Sequence, residues 1–133
     1  MLKLKIITKN KTVESNLEAK NITIPTPLGP AGILNNHDDM ILLLDLGIAD
    51  VECANNERRK YLIKNGVCKI LDNRITLLCD NCETKEEIDI KQAIVDKEKY
   101  QKIVEQMNIR SDEYQDAYKK LKEAKLKIMM FEK

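Results

Sequence analysis

The chain has 133 residues, 43% of them hydrophobic and 34% charged, with a formal net charge of +1 at pH 7. That balance suits one ordinary domain with an appendage, excludes wholesale disorder, and removes any global electrostatic pull toward nucleic acid or an anionic membrane. Trp is absent and aromatic residues make up only 4%, so platforms for stacking bases are poorly supplied.

Leu2, Leu4 and Ile6 alternate with Lys3 and Lys5, the pattern of a half-buried strand rather than the apolar run of a signal peptide. Strand-like runs are expected next at Thr12–Glu14 and Leu17–Ile24, followed by a rigid connection containing Pro25, Pro27, Gly29, Pro30 and Gly32. Runs resume at Met40–Leu44, Ile48–Cys53, Lys60–Lys64, Val67–Leu71 and Ile75–Cys79. Met40–Leu44 is the longest apolar run and reads as a buried strand. No stretch approaches the ~20 apolar residues of a membrane span. Asn65-Gly66 carries the strongest hairpin signal, because both residues tolerate positive φ. Many short strands at this spacing predict a sandwich or flattened barrel.

Beyond Asn81 there is no Gly or Pro, and the hydrophobic period becomes helical. Ile90, Ala93, Ile94, Tyr100, Ile103, Val104 and Met107 share one helical stripe. Asn108-Ile109-Arg110 interrupts it, and Tyr114, Ala117, Tyr118, Leu121, Ala124 and Ile128 form a second. Asp89 with Gln92 and Asp112 with Gln115 make plausible capping boxes, and Thr84 with Glu87 would start the first helix earlier. A short joint between two amphipathic helices predicts an antiparallel hairpin. The expected fold is therefore α+β in two parts, with an all-β sandwich over residues 1–86 and an antiparallel α-helical hairpin over 87–133.

Little in this pattern points to catalysis. His37 is followed by Asp38 and Asp39, but adjacent loop residues rarely aim at one substrate atom, and no Ser or Cys nucleophile stands beside them. The rival reading is a four-cysteine structural zinc-binding interaction module, from Cys79 and Cys82 at Cys-x-x-Cys spacing together with Cys53 and Cys68. Against it, Cys68 alternates with Ile70 and Cys79 with Leu77, which places both thiols on core-facing positions. With no export signal, the thiols are expected to stay reduced in a cytoplasm-like compartment. Lys119, Lys120, Lys122, Lys125 and Lys127 crowd the end of the last helix while Asp112, Glu113 and Asp116 occupy its start, an arrangement that suits the helix dipole.

Four segments in order carry a resemblance over essentially the whole chain. Gly29, Gly32, Ile33 and His37 form the first, and Gly47 with Ala49, Asp50 and Val51 the second. Gly66-Val67 through Asn73, Ile75, Thr76, Leu77 and Leu78 form the third, and Ile88, Asp89, Gln92 and Ala93 the fourth. In these the chain resembles the epsilon subunits of bacterial and chloroplast F-type (rotary) ATP synthases. It departs from the family pattern at Pro30, at Asp38-Asp39 after the His, and at Gln92, where the family has Arg. The resemblance implies a non-catalytic central-stalk subunit that couples rotation of the c-subunit ring to the catalytic head through the gamma subunit. It implies a hairpin that can fold against the sandwich or extend along gamma to oppose ATP hydrolysis. By the same resemblance His37 and Asp38 touch the c ring, and Lys119, Lys122 and Lys125 face acidic loops of the catalytic alpha/beta subunits. Ile88, Asp89, Gln92 and Ala93 correspond to a segment that binds ATP in some members. Gln92 lacks the charge that phosphate needs, so no ATP cofactor is expected, nor zinc. The implied location is peripheral, at the cytoplasmic face of the bacterial cell membrane.

Overall fold

Apolar side chains at every second position can be buried only if the backbone extends, and strands accordingly dominate the first part of the chain. In the computed structural model, which describes residues 1–107 and 110–131, these are β1 (Leu2–Thr8), β2 (Thr12–Thr26), β3 (Gly29–Leu34), β4 (Met40–Leu44), β5 (Gly47–Cys53), β6 (Arg58–Leu71) and β7 (Arg74–Thr84). A single 3-10 turn at Lys85–Glu87 precedes α1 (Ile90–Gln106) and α2 (Asp112–Met129). The chain divides into two compact units, Met1–Thr84 and Lys85–Lys133.

In the first unit the strands follow the order β1-β7-β6-β5-β2-β3, and β1 also bonds to β2. The bonded strands thus close into a ring, flattened so that Leu2, Leu4, Ile22, Ile63, Ile75 and Leu77 meet inside with no exposure. Two long strands serve both layers. The start of β2 pairs with β1, and its end pairs with β3 and β5. A register shift between Ala19 and Asn21 leaves Lys20 as an extra residue, which bends the strand between layers. The runs at Thr12–Glu14 and Leu17–Ile24 are therefore one strand rather than two.

β6 makes the same passage without a register shift. Arg58–Ile63 pair with β5, and Gly66–Ile70 pair with β4. The change of partner falls at Asn65 and Gly66, with φ of 51° and 146°. The expected hairpin at Asn65-Gly66 is thus a bend inside one strand. Pairing with β7 continues on both sides of it, Lys64 opposite Asn81 and Gly66 opposite Cys79. A Cβ on Gly66 would collide with the Leu78 carbonyl and crowd the Cys79 backbone. The hairpin lies instead at Asp72-Asn73, where φ is 49° and 62° and Leu71 pairs with Arg74, the two-residue turn that suits strand twist.

Two further expectations change. Gly29–Leu34 is an edge strand rather than a rigid connection, with Pro25 opposite Pro30 and only Pro27 and Leu28 in the turn. An edge position tolerates Pro because one side of the strand has no ladder to join. Met40–Leu44 is a strand with the expected bounds, but it is not buried. Leu44 is enclosed and Leu42 packs on the core, while Ile41 and Leu43 face outward at 70% and 64% exposure. A run that is apolar at every position hides its own alternation.

In the second unit, Asp89 caps α1 by accepting the Gln92 amide at 3.2 Å. The reciprocal half of the expected capping box is absent, because the Gln92 side chain donates forward to Asp96 at 2.8 Å. Ser111, not Asp112, caps α2, accepting the Tyr114 amide at 3.0 Å. Asp112 sits in the first turn, where its charge meets the positive helix end. The 3-10 turn at Lys85–Glu87 occupies the place where Thr84 and Glu87 would have begun the helix, and α1 starts at Ile90. Lys120 lies 5.6 Å from the Tyr100 ring and Lys85 lies 5.1 Å from the Phe131 ring, as antiparallel helices require. Ile88, Ala93, Ala117, Leu121, Ala124 and Met130 are buried, whereas Ile94 and Tyr118 of the predicted stripes are exposed. Asn108 and Ile109, expected to interrupt the helices, lie outside the described residues, and Arg110 is in a turn.

The bend in β6 supplies a stability test. Gly66→Ala combines a left-handed backbone with a backbone collision, and is expected to lose about 2–4 kcal/mol in urea unfolding. Asn65→Gly, which removes a side chain where φ is already positive, is expected to change stability by under ~1 kcal/mol.

Candidate functional site

His37 and Asp38 lie in the connection from β3 to β4, at the end of the sandwich that also carries the β6–β7 turn. The His37 amide donates to the Leu34 carbonyl at 3.2 Å, and its Nδ1 lies 2.8 Å from the Asp38 carbonyl oxygen. Asp38 and Asp39 are exposed. The Asp39 carboxylate accepts the Asp72 amide at 2.9 Å, so it serves the loop rather than a catalytic pairing with His37. This is a shaped polar surface, with no nucleophile assembled beside the imidazole.

A second surface was not singled out from sequence. Pairing places Leu43, Val67, Leu78 and Ile7 in one row across β4, β6, β7 and β1. Leu78 is 45% exposed, and Ile41 stands two residues along from Leu43 on the same outer face. The next rows hold Lys69 and Lys5, then Arg74 and Lys3, all exposed. An apolar strip flanked by cations is a surface for a protein partner. Its sequence signals are the doublets Ile6-Ile7 and Leu77-Leu78, which break the alternation of β1 and β7, and the unbroken apolar run Met40–Leu44.

The four cysteines are buried, and none of them is in a disulfide. Cys79 and Cys82 both lie on the extended β7 strand, which separates their backbones by about 10 Å. Among the described residues no three His, Cys, Asp or Glu side chains gather as a metal set. Burial pushes the Cys68 thiol up to about 12, with Cys79 adding to it, and burial then Asp80 push Cys79 up to about 11. Burial also raises Cys53, against the opposing pull of Arg59. Thiols held protonated are poor ligands and poor nucleophiles. Beside Cys53, the Glu14 carboxylate accepts from Tyr61 at 2.8 Å and from Arg59 at 3.1 Å, tying β2 to β6. Burial first, then Glu14, raises the Tyr61 phenol well above its usual range.

On the hairpin, Ile88 and Ala93 are buried, Asp89 is the cap, and Gln92 is exposed with its amide engaged by Asp96. Lys120 pairs with Asp116 at 3.2 Å and Lys127 with Glu123 at 3.4 Å, each one turn away. Lys119 and Lys125 are exposed and Lys122 is half-buried.

Residues 1–85 match the family described as ATP synthase, Delta/Epsilon chain, beta-sandwich domain. This chain belongs to that family. It is 31% identical over 104 residues to the ATP synthase epsilon chain of Desulfosudis oleivorans, covering 78% of this chain and 77% of that one. It is 34% identical to the epsilon chain of Clostridium novyi, over 68% of this chain and 69% of that protein. The match to the Chloroflexus aggregans epsilon chain is 33% identical over 65% of this chain and spans 60% of the relative. The fold is similar to a chain in the Euglena gracilis mitochondrial ATP synthase OSCP/F1/c-ring structure, with TM-score 0.81, 19% identity, and coverage of 93% of this chain and 77% of that one. A chain of the Tetrahymena thermophila mitochondrial ATP synthase central stalk/c-ring structure gives TM-score 0.62 at 18% identity, covering 94% of this chain and 92% of that one. No helix among the described residues is long and apolar enough to cross a membrane.

The raised thiols generate a pH prediction. The folded state holds these protons more tightly than the unfolded state, so their contribution is complete below the ordinary thiol value of 9.0 and is lost as pH rises toward about 11 and 12. Urea midpoints are expected to fall through that window. Cys68→Ala, which removes one titrating group, is expected to flatten the fall. At pH 8 the native chain is expected to resist a thiol-specific chromogenic reagent, and all 4 cysteines to react once it is denatured.

Proposed function

We propose that this chain is a non-catalytic, epsilon-type subunit of the central stalk of an F-type ATP synthase. Its sandwich joins the gamma subunit to the c ring, and its hairpin opposes ATP hydrolysis by the alpha/beta subunits. The complex would hold it peripherally at the cytoplasmic face of the bacterial cell membrane. The observation that carries this reading is the family match over residues 1–85, which spans both candidate surfaces of the sandwich. Support comes from the outer row in which Leu43 and Leu78 are exposed and Val67 is half-buried, an apolar face suited to gamma, and from the polar loop His37-Asp38, suited to the c ring. Nucleotide stands outside the reading, because Gln92 is neutral and its amide is already bonded.

Copurification tests the assignment. Tagged chain expressed in its own organism is expected to bring down gamma and the catalytic subunits, and a fragment of residues 1–86 is expected to fold and retain gamma. Gamma lost from both preparations would refute the assignment.

The lysines of α2 test the hairpin's part. Exposed ion pairs are worth under ~1 kcal/mol each and are screened by salt, so single changes are expected to do little. Replacing Lys119, Lys122 and Lys125 together with Gln is expected to raise ATP hydrolysis by the assembled complex, most at low ionic strength. Deleting residues 110–133 is expected to raise it at least as much. Hydrolysis unchanged by the deletion across a range of salt would remove the inhibitory role.

A further inference from the structure

The connection between β3 and β4 is anchored at two points, and both anchors lie on the turn between β6 and β7. The Asn36 amide donates to Asn73 Oδ1 at 2.6 Å, and Asn73 Nδ2 donates back to Asn36 Oδ1 at 3.3 Å. Two residues past His37, the Asp39 carboxylate accepts the Asp72 amide at 2.9 Å. The turn is itself fixed to β1, whose Lys3 amide donates to the Asn73 carbonyl at 2.9 Å. His37 and Asp38 are the two residues left between the anchors.

We propose that Asn73 is the positioning residue for the contact made by His37 and Asp38, clamping their loop to the β6–β7 turn so that load on the loop passes into the sheet. The inference rests on the reading that this loop meets the c ring. Asn36 and Asn73 both have positive φ, 64° and 62°, a backbone that Asn adopts at little cost and that turns the two side chains toward each other. An exposed five-residue connection would otherwise sample many conformations, and ordering it only on contact would weaken binding. The clamp orders it in advance. Asn73 also explains why a turn that needs only positive φ carries Asn at this position rather than Gly.

Three changes in the full-length chain separate the possibilities. Asn73→Gly keeps the backbone conformation of the turn and removes both clamp bonds. Asn73→Asp keeps the oxygen that accepts the Asn36 amide. The pair His37→Ala with Asp38→Ala removes the contact and keeps the clamp. Hydrogen exchange at the Asn36 amide, unfolding midpoints, and binding to detergent-solubilised c ring are measured for each. Asn73→Gly is expected to speed Asn36 exchange and to weaken ring binding about three- to tenfold, with Asn73→Asp restoring most of both. The unfolding midpoint is expected to move no further for Gly than for Asp. Ring binding lost with the His37 and Asp38 pair but intact in Asn73→Gly would overturn the positioning role. Asn36 exchange unchanged in Asn73→Gly would overturn the clamp. Ring binding intact without His37 and Asp38 would refute the contact reading itself, while the exchange result would still decide the clamp.

Discussion

The sandwich depends on a close approach of two backbones, Gly66 of β6 against the carbonyl of Leu78 in β7. At that point β6 leaves β5 and takes up β4, yet keeps its register with β7 on both sides. At Gly66 the bend leaves no room for a side chain, because a Cβ there would collide with the Leu78 carbonyl. Several features of the unit follow from this passage. The second half of β6 sets the outer row of Val67 and Lys69, gives β4 a partner, and delivers the Asp72-Asn73 turn to the end where the β3–β4 loop is tied down.

The two candidate surfaces obey different physics. The outer face offers area, with Leu43, Val67 and Leu78 in register on adjacent strands and cations in the adjoining rows. Covering such side chains is favourable by about 25 cal/mol per Å² of apolar surface, less the cost of association. The loop offers little area, and its contribution depends on being held still. Its anchors are mutual bonds among Asn36, Asn73, Asp39 and Asp72, and none of the four is a member of the apolar core.

The hairpin is built differently again. Its buried side chains include three alanines, Ala93, Ala117 and Ala124, which contribute little area. Local pairs one turn apart supply support along the helices: Gln92 to Asp96, Gln101 to Glu105, Asp116 to Lys120 and Glu123 to Lys127. Each such pair adds only about 0.2–0.5 kcal/mol, so the small buried face still has to hold the two helices together.

Much was legible in the sequence because it is local. Alternation in β1, the loss of Gly and Pro before the helices, the Asp89 cap and the inward Cys68 and Cys79 were all readable from neighbours in the chain. The ordered motifs of the four segments were enough to place the chain in its family. What tertiary structure alone decided concerns partners distant in sequence. Asn65-Gly66 has the composition of a turn, and only the pairing of Lys64 with Asn81 and Gly66 with Cys79 makes it a bend within a strand. Met40–Leu44 is uniformly apolar, so which residues face water was set by its register against Val67 and Lys69. Asn73 reads as a turn residue, and its hold on Asn36 spans 37 positions. Local propensity specifies which conformations a segment tolerates, whereas register and long-range bonding select among them, and both working surfaces proposed for this protein are made by that selection.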